Sequence, residues 1–421
     1  MPIGNYYQAT ANPFARQRVL AGEAECDVVV IGGGFTGCSA ALAAAESGAH
    51  VILIEAETIG FGASGRNGGQ LIPGLRWKAR ELITAFGLER AREIHALAME
   101  AVARVEGRIA RHAVACDLVS GQFEAAHKPA HFAEMREDVA LLTSKFGRTG
   151  LELVAPGDVR QIVATDAYHG GVFDHDGGHF HPLNYVFGLA GAALAAGAMI
   201  HEHSRVTAIN VSDGKVTVTT DGGSVTAAQA ILASDAWTGD IVPALGRFTV
   251  PLMNYVIATA PLGDLAAEIL PTNAAVADSR FVLNYYRLSA DRRLIFGGGE
   301  RYRSAPPRDI AAFVRPHIIR LFPQLAQTAI DYGWGGTVSV TMNRLPQLGR
   351  RGNILYAHGF SGHGALLTTL AGELLAEAAA GPSPRFDALA SLPHRLFPGG
   401  ALMARPLATL GLLYYAMKDR L

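Results

Sequence analysis

The chain has 421 residues, 49% of them hydrophobic, and a formal net charge of −1. That length supports one large domain or two interleaved ones. With charge this balanced and no basic run or stripe, no nucleic-acid partner is expected. The three cysteines, Cys26, Cys38 and Cys116, show no CxxC pair and no metal spacing, which fits a reducing cytoplasm.

The opening stretch MPIGNYYQATANPFARQ lacks the apolar segment of a signal peptide. Residues 26–56, CDVVVIGGGFTGCSAALAAAESGAHVILIEA, predict a strand, a glycine-rich turn, a small-residue helix and a second buried strand. Gly32, Gly34 and Gly37 stand in GxGxxG spacing. Gly32 allows the tight turn, Gly34 lets a pyrophosphate approach the backbone, and Gly37 lets the helix pack on the sheet. Phe35 and Thr36 open that helix, whose start presents N–H groups to phosphate. Glu55 closes the second strand where its carboxylate can accept ribose hydroxyls, and Ala56 follows it. The order of elements indicates a dinucleotide site but does not separate FAD from NAD.

The next segment, GFGASGRNGGQ (60–70), carries five glycines and no bulky aliphatic side chain. A nicotinamide enzyme would continue into an ordinary βα repeat here. We read 64–70 as a loop and helix start running beneath a flat ring, with a mobile surface loop as the alternative. Further on, RFVLNYYRLS and RRLIFGGGE alternate as an antiparallel pair joined by SADR. Near the C-terminus, PLATLGLLYYAM falls short of the ~20 residues of a membrane span and reads as a packed helix.

With these segments in view, the sequence resembles the D-amino-acid-oxidase-like FAD-dependent amine oxidoreductases, and 60–70 looks most like their γ-glutamylputrescine oxidase branch. FDHDGGHFHPLN (173–184), NYYRLSADRRLIFGGG (284–299), HGFSGHGALLTTLAGELLAE (358–377) and LPHRLFPGG (392–400) resemble the family in the same order. The resemblance implies an α/β fold of glutathione-reductase-2/DAO type. A Rossmann-like FAD-binding domain (1–80, 151–245, 331–385) would be interleaved with an antiparallel β-sheet substrate domain (81–150, 246–330), leaving 386–421 as a C-terminal extension.

It also implies roles. Gly32, Gly34, Gly37 and Glu55 would hold the ADP half of FAD. Ser64, Arg66, Asn67, Gly68, Gly69 and Gln70 would line the flavin and pyrophosphate, and Val206 would pair its backbone with the adenine. Gly359, Ser361, Gly362, His363 and Gly364 would close over the flavin's pyrimidine end, where a helix start would face flavin O2. Some relatives attach the flavin through a cysteine in the segment matching WGGTVSVTMN. None occurs here, so non-covalent FAD is expected.

Flavin amine oxidation needs an oriented neutral amine more than acid–base groups. Of Tyr285 and Tyr286, alternation lets one face the flavin, and the resemblance favours Tyr285. Trp334 is read as a pocket wall or as core, and Glu300 as an anchor for a cationic amine or as a solvated carboxylate. Tyr255 is a weaker candidate. His363, between glycines, reads as a backbone neighbour of the flavin. The lysine that promotes O2 reduction in sarcosine oxidase matches Phe296, which leaves another cation such as Arg344, or a non-oxygen electron carrier as acceptor. His175, Asp176, His179 and His181 carry metal-binding chemistry, yet the family has this stretch without a metal, and Pro182 with two glycines fits a loop.

The expected activity is FAD-dependent oxidation of a C–N bond in a small amine or amino acid, with imine hydrolysis, preferring a γ-glutamylputrescine-like substrate. The alternatives are a secondary or cyclic amino acid, oxidised by an oxidase or a dehydrogenase, and a non-catalytic flavoprotein. A cytoplasmic location without a membrane span is expected.

Overall fold

The computed structural model describes residues 4–301, 307–398, 406, 409 and 410. The predicted strand–helix–strand unit forms as Gly22–Ile31, Phe35–Glu46 and Val51–Ile54. Both strands carry continuous apolar runs because both faces are covered, and Val28–Ile31 and Val51–Ile54 are buried throughout.

These two strands are central in an eight-stranded sheet. Gly22–Ile31 pairs in parallel with Gly223–Leu232 on one side and Val51–Ile54 on the other. Met199–His201 and Ile354–His358 extend the parallel array. The helices Phe35–Glu46, Pro182–Ala195 and Leu367–Ala380 share one apolar core on one face. An antiparallel pair, Val206–Ser212 and Lys215–Thr220, helps to cover the other.

A second sheet of nine strands is antiparallel except where Ala275–Asp278 runs parallel to Val119–Ala125. Tyr285–Leu288 and Leu294–Arg301 form the expected hairpin. Thr249–Thr259 lies between Leu294–Arg301 and Ile330–Thr341.

Sheet membership corrects the segment boundaries drawn from sequence. Leu151–Val154, Gly171–His179 and Ile330–Thr341, assigned there to the cofactor unit, pair within the second sheet. Conversely the helix Leu88–Arg111, assigned to the substrate unit, buries Ala91, Ile94, Ala98 and Ala101 in the core beneath the first sheet. Its Arg108 binds Glu46 and Glu373, at 2.5 and 3.1 Å, on two helices of that layer. An antiparallel partner far away in sequence leaves no local mark, so segment composition alone misplaced these pieces. In the C-terminal region, Pro384–Ala390 is helical, while Gly399, Gly400 and most of 401–421 lie outside the described residues. Among the described residues no helix is long and apolar enough to cross a membrane.

Candidate active site

A cleft of about 710 Å³ runs between the two sheets, towards the upper end of the range for ligand pockets. It begins where the first strand ends. Gly32 has φ +109° and its amide donates to the Ile54 carbonyl at 2.9 Å. A Cβ on Gly37 would stand 1.8 Å from the Gly32 carbonyl oxygen, so this helix meets the turn at backbone contact. Gly37 therefore packs the turn and does not line the cleft, whereas Gly32, Gly34, Phe35 and Thr36 do.

Glu55 closes the neighbouring strand. Its Oε2 accepts the Gly33 amide at 2.6 Å and its Oε1 the Glu57 amide at 2.8 Å. Burial raises its pKa, against the pull of those two amides. Each oxygen keeps a second lone pair for a ribose hydroxyl. Ala56, Arg205 and Val206 continue this wall.

The 60–70 segment is a built floor and not a mobile loop. Ser64 Oγ accepts the Phe35 amide at 2.9 Å, tying the floor to the helix start. Asn67 donates to the Ala63 and Ser64 carbonyls and accepts the Gly69 amide at 2.7 Å. From below, Asn5 donates to Gly65 O at 3.1 Å, Trp334 to Arg66 O at 2.9 Å and Arg287 to Gly68 O at 2.7 Å. In a trans peptide the N–H points opposite the preceding carbonyl. Pinning Arg66 O downward therefore turns the Asn67 amide towards the cleft. Ser64, Arg66, Asn67, Gly68 and Gln70 line the cleft, while Gly69 is packed beneath against Phe180 and Arg287.

The far wall comes from 336–340 and 360–365, including Ser361, Gly362 and Gly364. Gly359 stands behind it and donates its amide to Asp235 Oδ1 at 2.9 Å. Asp235 lines the cleft with φ +40°, and burial raises its carboxyl to about 6. His363, half-buried, points away from the cleft, with its Nε2 3.1 Å from the Gly74 carbonyl. Burial, reinforced by the Arg76 charge, lowers its pKa to about 4.

Tyr285 is the member of the tyrosine pair on the cleft side. Its ring lies across the adjacent strand, where a Cβ on Gly297 would stand 2.0 Å from it, which accounts for a glycine there. Its hydroxyl donates to Asn254 Oδ1 at 2.6 Å. Tyr286 points into the opposite core, stacked on Phe296 and bonded to Tyr168.

Several expectations are thereby corrected. Tyr286 is removed from the substrate side by strand alternation. Tyr255 is buried against Phe313 for the same reason, and its neighbour Asn254 takes the cleft position. Phe296 faces away from the cleft, so its identity does not report on the electron acceptor. Trp334 supports the floor from beneath and forms no wall. Glu300 sits opposite Asn254 in the strand register, but its side chain lies outside the described residues. The four metal-type residues diverge. His175 faces Glu152, Asp176 faces Arg148, His179 faces the Asn273 carbonyl, and His181 caps the helix Pro182–Ala195. Sequence reasoning overlooked Asn254, Asp235, Arg76 and Phe281 as lining residues. For Asn254, the signal was its alternation with Tyr255.

The residues fit an adenine–flavin dinucleotide. A carboxylate at a strand end, a helix start capped by a glycine, and a floor with its carbonyls held underneath follow one another along the cleft. No cysteine lines it among the described residues.

A family model described as "FAD dependent oxidoreductase" matches residues 27–378. The chain is 41% identical to the γ-glutamylputrescine oxidoreductase of Escherichia coli (strain K12) over 420 residues, covering 99% of this chain and 98% of that one. It is 36% identical to a probable oxidoreductase, OrdL, of Rhizobium meliloti (strain 1021), covering 100% and 98%. Among solved structures, glycine oxidase from Geobacillus kaustophilus superposes with a TM-score of 0.73 at 20% identity, covering 86% of this chain and 96% of that one. L-proline dehydrogenase from P. horikoshii superposes with a TM-score of 0.71 at 21% identity, covering 85% and 93%.

Proposed function

The chain belongs to the FAD-dependent oxidoreductase family, and from that membership we propose that it oxidises the C–N bond of a small amine, with a γ-glutamylated diamine as preferred substrate. Its cofactor is FAD. The substrate reading draws on the γ-glutamylputrescine oxidoreductase of E. coli, which is similar along nearly the whole chain.

Bound FAD supplies a two-electron acceptor for the hydride on the carbon next to nitrogen. The chain's own residues do the rest by placement. The single observation that carries the reading is the Tyr285–Asn254 pair, which sets a hydroxyl and an amide over the floor that Gly68 and Asn67 form. These two groups would orient a neutral amine, while Leu252, Leu283 and Ile72 exclude water from the same wall. Loss of one amine proton with the hydride gives an imine. Water then converts it to an aldehyde and the released amine or ammonia.

Anaerobic mixing with a panel of amines tests the reading. γ-Glutamylputrescine is expected to bleach the flavin band, and no bleaching by any member would point to the non-catalytic alternative. Reoxidation of the bleached enzyme in air-saturated buffer then assigns O2 or a separate carrier as acceptor.

A further inference from the structure

We infer that Asp235 receives FAD as a neutral carboxylic acid, donating a hydrogen bond to the cofactor's phosphate linkage, so that capture of FAD takes up one proton. The inference concerns the cofactor and stands whichever amine is oxidised.

The fold sets Asp235 between two turns at the cleft. It follows the strand Gly223–Leu232, the parallel neighbour of Gly22–Ile31. Ala233 donates its amide to Ile31 O at 2.8 Å, and a Cβ on Gly32 would stand 2.6 Å from the Ala233 carbonyl oxygen. The segment 233–235 therefore runs against the Gly32 turn, beside the helix start suited to a pyrophosphate. On its other side Asp235 Oδ1 accepts the Gly359 amide at 2.9 Å, which ties it to the wall 360–365. Ala233, Ser234 and Asp235 all line the cleft. At φ +40° Asp235 holds a backbone conformation that Asp tolerates better than most side chains.

Its surroundings favour the protonated form. Burial raises the carboxyl to about 6, against the pull of two backbone amides, those of Gly359 and Ala236. The strands packed against its turn are Ile354–His358, Ile330–Thr341 and Thr249–Thr259. Besides tyrosines, their titratable groups are His358, whose Nε2 is engaged by Gln347 Oε1 at 2.8 Å, and Asp331 at the start of its strand. Asp240 follows on the same segment, Glu55 stands across the Gly32 turn, and Arg66 and Arg344 reach the cleft from the floor and from the turn after Thr341. The phosphate linkage of FAD brings further negative charge to this end of the cleft, and a like charge disfavours ionisation of the carboxyl. Protonation removes that repulsion and makes Oδ2 an O–H donor, while Oδ1 keeps the Gly359 amide. An ionised carboxylate has no donor to offer a phosphate.

The test dilutes the FAD-loaded full chain into buffers from about pH 5.5 to about pH 8.5 and reads released FAD by its fluorescence. Above about pH 6, wild type is expected to lose affinity by up to about ten-fold per pH unit. Calorimetry of FAD binding at about pH 7.5, in two buffers of different ionisation heat, should show uptake of close to one proton, and this readout needs no variant. Asp235→Asn keeps an acceptor for Gly359 and offers an N–H donor to the phosphate at every pH. It should bind FAD with little pH dependence, take up no proton, and hold FAD at least about ten-fold more tightly than wild type at about pH 8.5. Wild-type affinity that is flat above about pH 6, or the same slope in Asp235→Asn, overturns the inference. So does weaker binding by Asp235→Asn at high pH, which would mean that an ionised carboxylate accepts from a cofactor hydroxyl. No readout involves an amine, so the result is separate from that of the substrate panel.

Discussion

The indole N–H of Trp334 meets the carbonyl oxygen of Arg66 at 2.9 Å, across the boundary between the second sheet and the floor of the cofactor cleft. Trp334 is itself almost wholly buried, in edge contact with Tyr7. Trp334→Phe keeps most of the packing and leaves the carbonyl without its donor. Leaving a buried acceptor unpaired costs about 1–3 kcal/mol. The expected outcome is weaker FAD retention, by about ten-fold in dissociation constant, measured by fluorescence titration of apoprotein. Equal affinity in the variant would remove the carbonyl-pinning account of the floor.

The two adjacent tyrosines make a matched pair of variants. Tyr285→Phe removes the hydroxyl that bonds Asn254. It should lower kcat/KM for the amine by about ten-fold, equivalent to about 1.4 kcal/mol in the barrier, with little change in Tm. Tyr286→Phe removes a hydroxyl that bonds Tyr168 inside the core. It should cost about 1 kcal/mol of stability and spare the kinetics. Steady-state rates alongside thermal melts check both, and a reversed pattern contradicts the register described above.

His363 supplies a pH signature. Its folded pKa is lowered to about 4, from an ordinary value of 6.5, chiefly by burial. Above pH 6.5 both folded and unfolded chains carry it neutral, so it contributes no pH dependence there. As pH falls from 6.5 towards 4, the unfolded chain takes up a proton that the folded chain refuses, and stability is lost. His363→Gln removes this linkage. The Tm difference between variant and wild type should grow in the variant's favour across that window and level off below it. A difference independent of pH would show that the imidazole titrates normally.

Cys26, Cys38 and Cys116 all stand away from the lining of the cleft. Acid precipitation should therefore leave the flavin in the supernatant. Yellow colour in the washed pellet would demonstrate a covalent link.

Legibility in the sequence followed the range of the interaction. The turn around Gly32 and the hairpin carrying Tyr285 are set by neighbours along the chain, and residue spacing exposes both. Alternation showed that one of Tyr285 and Tyr286 would face the cleft, the family resemblance favoured Tyr285, and the lining of the cleft places Tyr285 there. Trp334 stayed open between wall and core because aromatic character says nothing about direction. Its place under the floor depends on strand partners far away. Arg76 and Arg344 carry no motif at all, and they line one cleft because the chain packs two distant loops, joined by the hydrogen bond from Trp77 to the Asn343 carbonyl.

The carbonyls of Gly65, Arg66 and Gly68 are gripped by residues 5, 334 and 287 respectively. A chain still emerging from the ribosome can thus build its nucleotide turn early, yet it lacks a finished seat for the isoalloxazine until four-fifths of it has been synthesised. Yellow colour in such a nascent chain would serve as a clock, marking the moment at which the last of these grips closes.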